Sequence, residues 1–146
     1  MILKTYSVVA RTTPEKAYAY VADIQRHAEW SPDDLKVSGA GPAGVGATYE
    51  TVGHLQGKPN PSTVEVEALE PGRRVVFTST DKMSAWRHEF TFTPADGGTR
   101  VDRTVSVIKA PFMLNVVFPL LHPFVIGPGN MKSMNMLREK LEAGAG

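Results

Sequence analysis

His88 and Arg103 are the residues of this 146-residue chain best placed to do chemistry. Each interrupts an alternating apolar pattern: Trp86, Phe90 and Phe92 around one, Val101, Val105 and Val107 around the other. Alternation of this kind puts each of them on the strand face that its large apolar neighbours occupy. A histidine there can move a proton or donate to a ligand carbonyl. It can equally be a core histidine whose ring nitrogens find protein partners. A buried arginine is unfavourable unless paired. Arg103 therefore pairs with a glutamate, turns out at a bulge or sheet edge, or meets a ligand carboxylate, enolate or phenolate through its planar fork.

The other candidates are weaker. Residues 39–44 spell Gly-Ala-Gly-Pro-Ala-Gly, a formal GxGxxG. A dinucleotide site needs a strand before that motif and a helix N-terminus after it. Here the strand-like VGATYETVG follows, so a loop is expected and no dinucleotide. His54 and His122 lie apart, with His122 at a cavity mouth, and His27 is expected on the surface of a short helix. No pair of histidines has metal-ligand spacing and no carboxylate cluster accompanies them, so neither metal nor cofactor is expected. There is no GxSxG elbow. Asn60-Pro61-Ser62 fails as a glycosylation site because proline holds the middle position.

The elements that must position His88 and Arg103 can be read from turns and periodicity. Residues 2–11 form a first strand. Thr13 caps a helix with Pro14 at its first position and Glu15 in its first turn, and Ala17, Tyr18, Val21 and Ala22 make its apolar stripe. Asp23 ends that helix and caps a second short one closed by Trp30 and Ser31-Pro32. Strands follow at 35–38 and 45–54, the second with Tyr49 and Thr51 inward, and then a loop at 56–61. Three turns order the next four strands: Pro71-Gly72 with type II chemistry, residues 81–84, and Asp96-Gly97-Gly98. Pairing Glu70 with Arg73, Thr80 with Ala85 and Phe92 with Val101 puts Val64, Val66, Ala68, Val75, Phe77, Ser79, Trp86, His88, Phe90, Phe92, Arg103, Val105 and Val107 on one face. The polar residues from Glu65 to Ser106 take the other. Phe112, Met113, Val116, Val117 and Leu120 are spaced for a helix face, kinked at Pro119 and Pro123 and interrupted by Gly127-Pro128-Gly129. Met131, Met134, Leu137 and Leu141 continue it to about residue 142, before a frayed tail.

Length and composition bound the rest. One domain over residues 1–146 has room for one core, and 42% hydrophobic with 21% charged residues is ordinary for a globular protein. A net charge of +1 leaves no electrostatic footprint for nucleic acid or an anionic membrane. The absence of cysteine excludes disulfides and thiolate chemistry and fits a reducing cytoplasm. No signal peptide is expected in MILKTYSVV. The apolar stretch 111–126 is too short and too broken by Asn115, Pro119 and Pro123 to span a membrane.

The order of strand, two short helices, six strands and a long broken helix resembles the START-like, or SRPBCC, helix-grip superfamily, and within it the polyketide cyclase/dehydrase branch. The marks are TPEKAYAYVADIQRHAEW, GVGATY, VEVEALEPGRRVVFTS and FTFTPADGGTRVDRTV, in that order over essentially the whole chain. The resemblance implies an α+β helix-grip fold: a curved seven-stranded antiparallel sheet around a long kinked C-terminal helix, with two short helices between strands 1 and 2. It implies a deep, mostly apolar cavity for a small hydrophobic molecule such as a lipid, polyketide, quinone or sterol. With the strand register it makes Trp30, Tyr49, Phe77, Trp86, His88, Phe90, Arg103, Val105, Phe112, Met113, Val116, Val117 and Leu120 the candidate lining, with Ile24 and Leu35 limiting its size. It carries no constant catalytic triad, since fold does not fix function. Three readings stay open: a cytoplasmic binder or carrier; a cyclase, aromatase or dehydratase using His88 and Arg103; and a protein-interaction module with a vestigial cavity. Monomer and homodimer are both compatible with it.

Overall fold

A computed structural model of the chain describes residues 3–32, 35–39, 44–55, 58–109 and 127–144. Seven strands, β1 (Leu3–Ala10), β2 (Lys36–Ser38), β3 (Thr48–Leu55), β4 (Lys58–Glu70), β5 (Arg74–Thr80), β6 (Ala85–Ala95) and β7 (Gly98–Lys109), form one open antiparallel sheet. Their spatial order is β1-β7-β6-β5-β4-β3-β2. Helix α1 (Pro14–Ala22) and a 3-10 helix (Ile24–Trp30) lie between β1 and β2, and α2 (Gly127–Glu142) ends the described chain. This is the expected α+β helix-grip arrangement. The expected lining residues Phe112, Met113, Val116, Val117 and Leu120, with His122 and the proline kink, lie outside the described residues.

Local chemistry accounts for the helices. Thr13 Oγ1 accepts from the Lys16 N–H at 3.2 Å, Pro14 opens α1 and Glu15 stands in its first turn. Ala17, Tyr20 and Val21 are buried, so Tyr20 takes a place expected for Tyr18 and Ala22, which are only partly covered. The reason is that α1 is packed on two sides, against the sheet and against the 3-10 helix. Asp23 does not cap the next helix through its side chain; its backbone N–H donates to the Tyr20 carbonyl at 3.3 Å. Residues 24–30 wind as a 3-10 helix, in which positions three apart eclipse. Ile24, His27 and Trp30 therefore share one buried face. His27, expected at the surface, is only 7% exposed.

The sheet register agrees with the turn chemistry except at two places, a shift between Ala85 and Trp86 where β6 begins and one in β4. Thr80 pairs with Ala85, Phe92 with Val101, Phe90 with Arg103 and His88 with Val105. Gly72 has φ +73°, and the Arg73 N–H donates to the Glu70 carbonyl at 2.9 Å, which closes the Pro71-Gly72 turn. The ladder, however, starts at Glu70–Arg74, and Leu69 rather than Ala68 opposes Val75. A bulge between Val66 and Ala68 absorbs the extra residue, so Val66–Phe77 and Val64–Ser79 fall as expected. The loop expected at 56–61 is much shorter: β3 runs to Leu55, β4 begins at Lys58, and these two residues pair. At the β6–β7 turn a Cβ on Gly98 would lie 2.0 Å from the Ala10 carbonyl oxygen, so only glycine lets β1 end there.

The core fills the concave face with Tyr6, Val66, Val75, Phe77, Phe90, Phe92, Val101 and Val105, completed by Ile24 and Trp30 from below. Helix α2 packs on β1 and on the 3-10 helix, burying Ser133, Met134, Leu137 and Leu141. Gly127-Pro128-Gly129, expected to interrupt a longer helix, form the first turn of α2, where a missing proline N–H costs nothing; the segment before them lies outside the described residues. The outer face carries paired charges: Arg74 with Glu70 and Glu89, Arg87 with Glu67 and Glu89, and Arg100 with Asp102. Val76 sits in that lattice opposite Ala68 and Glu89 and is nonetheless fully buried.

Candidate functional site

A cavity of about 330 Å³ opens between the concave face, the 3-10 helix and α2. Strand β7 brings Arg103 to its wall, β6 brings His88, and β5 brings Phe77 and Ser79. The 3-10 helix contributes Ile24, His27 and Trp30, and α2 contributes Ser133. Thr51, Gly53 and His54 of β3 and Asn60, Ser62 and Val64 of β4 line the remainder, with Leu35 and Val37 beside them. This wall is more polar than the family resemblance implies, and no aspartate or glutamate is among its described residues.

Of the residues expected to line it, Trp30, Phe77, His88 and Arg103 do. Tyr49, Phe90 and Val105 face inward but are buried behind the wall. Tyr49 is occupied elsewhere: a Cβ at Gly39 would lie 2.4 Å from its ring, which explains the first glycine of the GxGxxG sequence without any nucleotide. Trp86 is half-buried, and its indole N–H donates to Ser84 Oγ at 2.9 Å.

Arg103 has unusual company. Its guanidinium donates to His88 Nδ1 at 3.1 Å and to Ser133 Oγ at 3.4 Å. It lies 5.4 Å from the centre of the Phe90 ring and 5.9 Å from that of Trp30, both within cation–π range. Its Nε is buried with no hydrogen-bond partner among the described residues. Among the described residues no carboxylate forms an ion pair with it. Burial pulls its pKa down to about 10, with Tyr6 pulling the other way, so it is still a cation at neutral pH.

The two histidines are held neutral in defined tautomers. Burial pushes His27 down to about 4; Arg103 adds to the shift and the Val21 carbonyl opposes it. Burial, then Arg103, then His27 push His88 well below its ordinary value. His27 Nε2 stands 2.7 Å from the Val21 carbonyl oxygen, which can only accept, so Nε2 carries the proton and Nδ1 a bare lone pair. Arg103 can only donate, so His88 Nδ1 is the acceptor and its proton is on Nε2. Both rings rest against Phe77, at 5.2 Å and 4.9 Å between centres. Ser133 Oγ completes the arrangement by donating to the Trp30 carbonyl at 3.0 Å. Among the described residues no group of histidines and carboxylates could hold a metal ion. His54 lies on the same wall, on β3.

Residues 1–139 match the family described as polyketide cyclase / dehydrase and lipid transport. No curated protein matches the chain. Among solved structures, protein CV1439 from Chromobacterium violaceum is 20% identical, with 97% of this chain and 99% of that one covered and a TM-score of 0.75. TTHA0849 from Thermus thermophilus is 18% identical over 99% and 100% of the two chains, at a TM-score of 0.78. The di-domain ARO/CYC protein StfQ of the steffimycin biosynthetic pathway is 12% identical over 99% of this chain and 51% of its own, also at 0.78. At these identities the likeness is one of fold.

Proposed function

Because the chain belongs to the polyketide cyclase / dehydrase and lipid transport family, we propose that its cavity binds a small, largely apolar molecule carrying one anionic or anion-forming oxygen. The observation that carries this reading is Arg103: a buried cation on the cavity wall whose described partners are all neutral. Such a charge is costly until an anion compensates it. The aromatic wall of Trp30 and Phe77 supplies apolar contact for the rest of the molecule. Among the described residues no helix is long and apolar enough to cross a membrane.

Thermal unfolding with matched pairs of aromatic carboxylic acids and their neutral amides tests the proposal. Acids should raise the Tm, amides should not, and Arg103→Gln should erase the difference. Equal shifts from acid and amide, or no shift from either, would sink it.

A second reading is favoured by the tautomers. A bare His27 Nδ1, a His88 Nε2–H and a fixed cation are the parts that a cyclase or dehydratase needs to move a proton next to an enolate oxygen. On this reading, turnover of a poly-β-keto thioester surrogate disappears in both His27→Gln and Arg103→Gln. Turnover that survives both would exclude it. The third possibility, an interaction module with a filled interior, draws no support from an open cavity.

A further inference from the structure

His27 is the element that the anion-binding reading leaves unused. Its Nε2–H is spent on the Val21 carbonyl, so the ring can offer the cavity only an acceptor. Nε2 makes the ring's one hydrogen bond among the described residues, which leaves Nδ1 without a partner, and the residue lines the cavity wall. Protonation does not convert it to a donor near neutrality, because burial and the Arg103 charge keep the ring neutral. The groups facing it reinforce this: Arg103 is cationic, His88 is held neutral, and no acidic residue shares the described wall. Arg103 and His27 both lie against the Trp30 indole, with the His27 ring 4.7 Å and the guanidinium carbon 5.9 Å from its ring centre. Both groups thus border one aromatic surface of the wall, the kind of surface on which a fused bicyclic aromatic molecule stacks.

We propose that the cavity selects a hydroxylated anion: a molecule whose anionic oxygen meets Arg103 and whose hydroxyl donates to His27 Nδ1. The inference rests on the anion-binding reading and adds a specificity rule to it. A buried acceptor left unpaired is costly, so ligands lacking the donor bind more weakly. His88 Nε2–H takes the complementary part and donates to the ligand's anionic group or to a neighbouring carbonyl. A plain fatty acid or a neutral sterol satisfies only part of this wall.

The experiment measures Kd by quenching of tryptophan fluorescence for 2-naphthoate, its positional hydroxy isomers, the methyl ether of the best isomer, and 2-naphthol. At least one hydroxy isomer should bind roughly tenfold more tightly than 2-naphthoate. Its methyl ether, which keeps the oxygen and loses the donor, should fall back to the parent. His27→Phe should abolish the preference for the hydroxyl while leaving 2-naphthoate bound, and the ligand series alone decides if that variant does not fold. Two patterns would overturn this inference and leave the anion reading standing. One is Arg103-dependent binding of every acid with no hydroxyl preference; the other is a methyl ether as good as the hydroxy acid. If no acid binds, if Arg103→Gln leaves the acids bound, or if 2-naphthol binds as well as they do, both readings fall.

Discussion

The two faces of the sheet handle arginine in opposite ways. On the convex face Arg74, Arg87 and Arg100 each meet a carboxylate on their own or the adjacent strand. On the concave face Arg103, one residue along β7 from Asp102, meets imidazole, hydroxyl and aromatic faces instead. The outer arginines are partly solvated, and such ion pairs contribute little. The inner one is desolvated, where an absent counter-charge is expensive. An arginine kept in such a place is expected to serve a purpose other than stability, and the cavity beside it is where that purpose can be met.

The largest blow to the inner face should come from Phe90→Ala. Phe90 is fully buried, packs near-parallel to Phe77 and edge-on to Trp30, and supports the guanidinium. Its truncation should cost about 3–5 kcal/mol in urea unfolding. Acid is the next largest. With His27 at about 4 in the folded protein and its ordinary 6.5 when unfolded, the unfolded chain binds the extra proton between those values. Stability is therefore complete above about pH 6.5 and falls as the pH drops toward 4, by about 1.4 kcal/mol per pH unit for each such histidine. His88 adds a loss of the same sign. Unfolding measured across this window should show the slope, and His27→Gln should flatten it.

The sharpest contrast comes from two matched substitutions. Arg103→Met should stabilise the ligand-free protein, by about 1–2 kcal/mol, while removing anion binding. Arg87→Met on the outer face should destabilise it by less than about 1 kcal/mol and leave binding untouched. Opposite signs in chemical denaturation would uphold the comparison; a large loss at Arg103 would show that the cation is structural.

Much of this contrast was legible in the residues. Turn chemistry at residues 71–72, 81–84 and 96–98, with two-residue alternation, aligned β4 to β7 and placed both His88 and Arg103 inward. The bulge at Val66/Ala68 went unseen, because only tertiary pairing reveals that one residue is spare. Reading 56–61 as a loop hid Asn60 of the cavity wall, and the inward face was read only from Val64 on, which left out Ser62. Asn60 and Ser62 continue the alternation of Val64 and Val66 and would have been found by extending it. His27 was placed on the surface of the short helix with no spacing tested for it; the three-residue steps from Ile24 to Trp30 were the available signal. Ser133 had no signal, since its partners are a main-chain carbonyl and a guanidinium remote in sequence.

That serine makes the position of a helix and the position of a charge a single variable. Ser133 Oγ is hydrogen-bonded at once to the Trp30 carbonyl and to Arg103, so whatever draws the guanidinium into the cavity pulls on α2 as well. The chain has no cysteine, and Asn135 faces solvent two residues further along the same helix. A single cysteine at that position, carrying an environment-sensitive dye, would turn this linkage into an optical readout of occupancy for ligands that have no colour of their own.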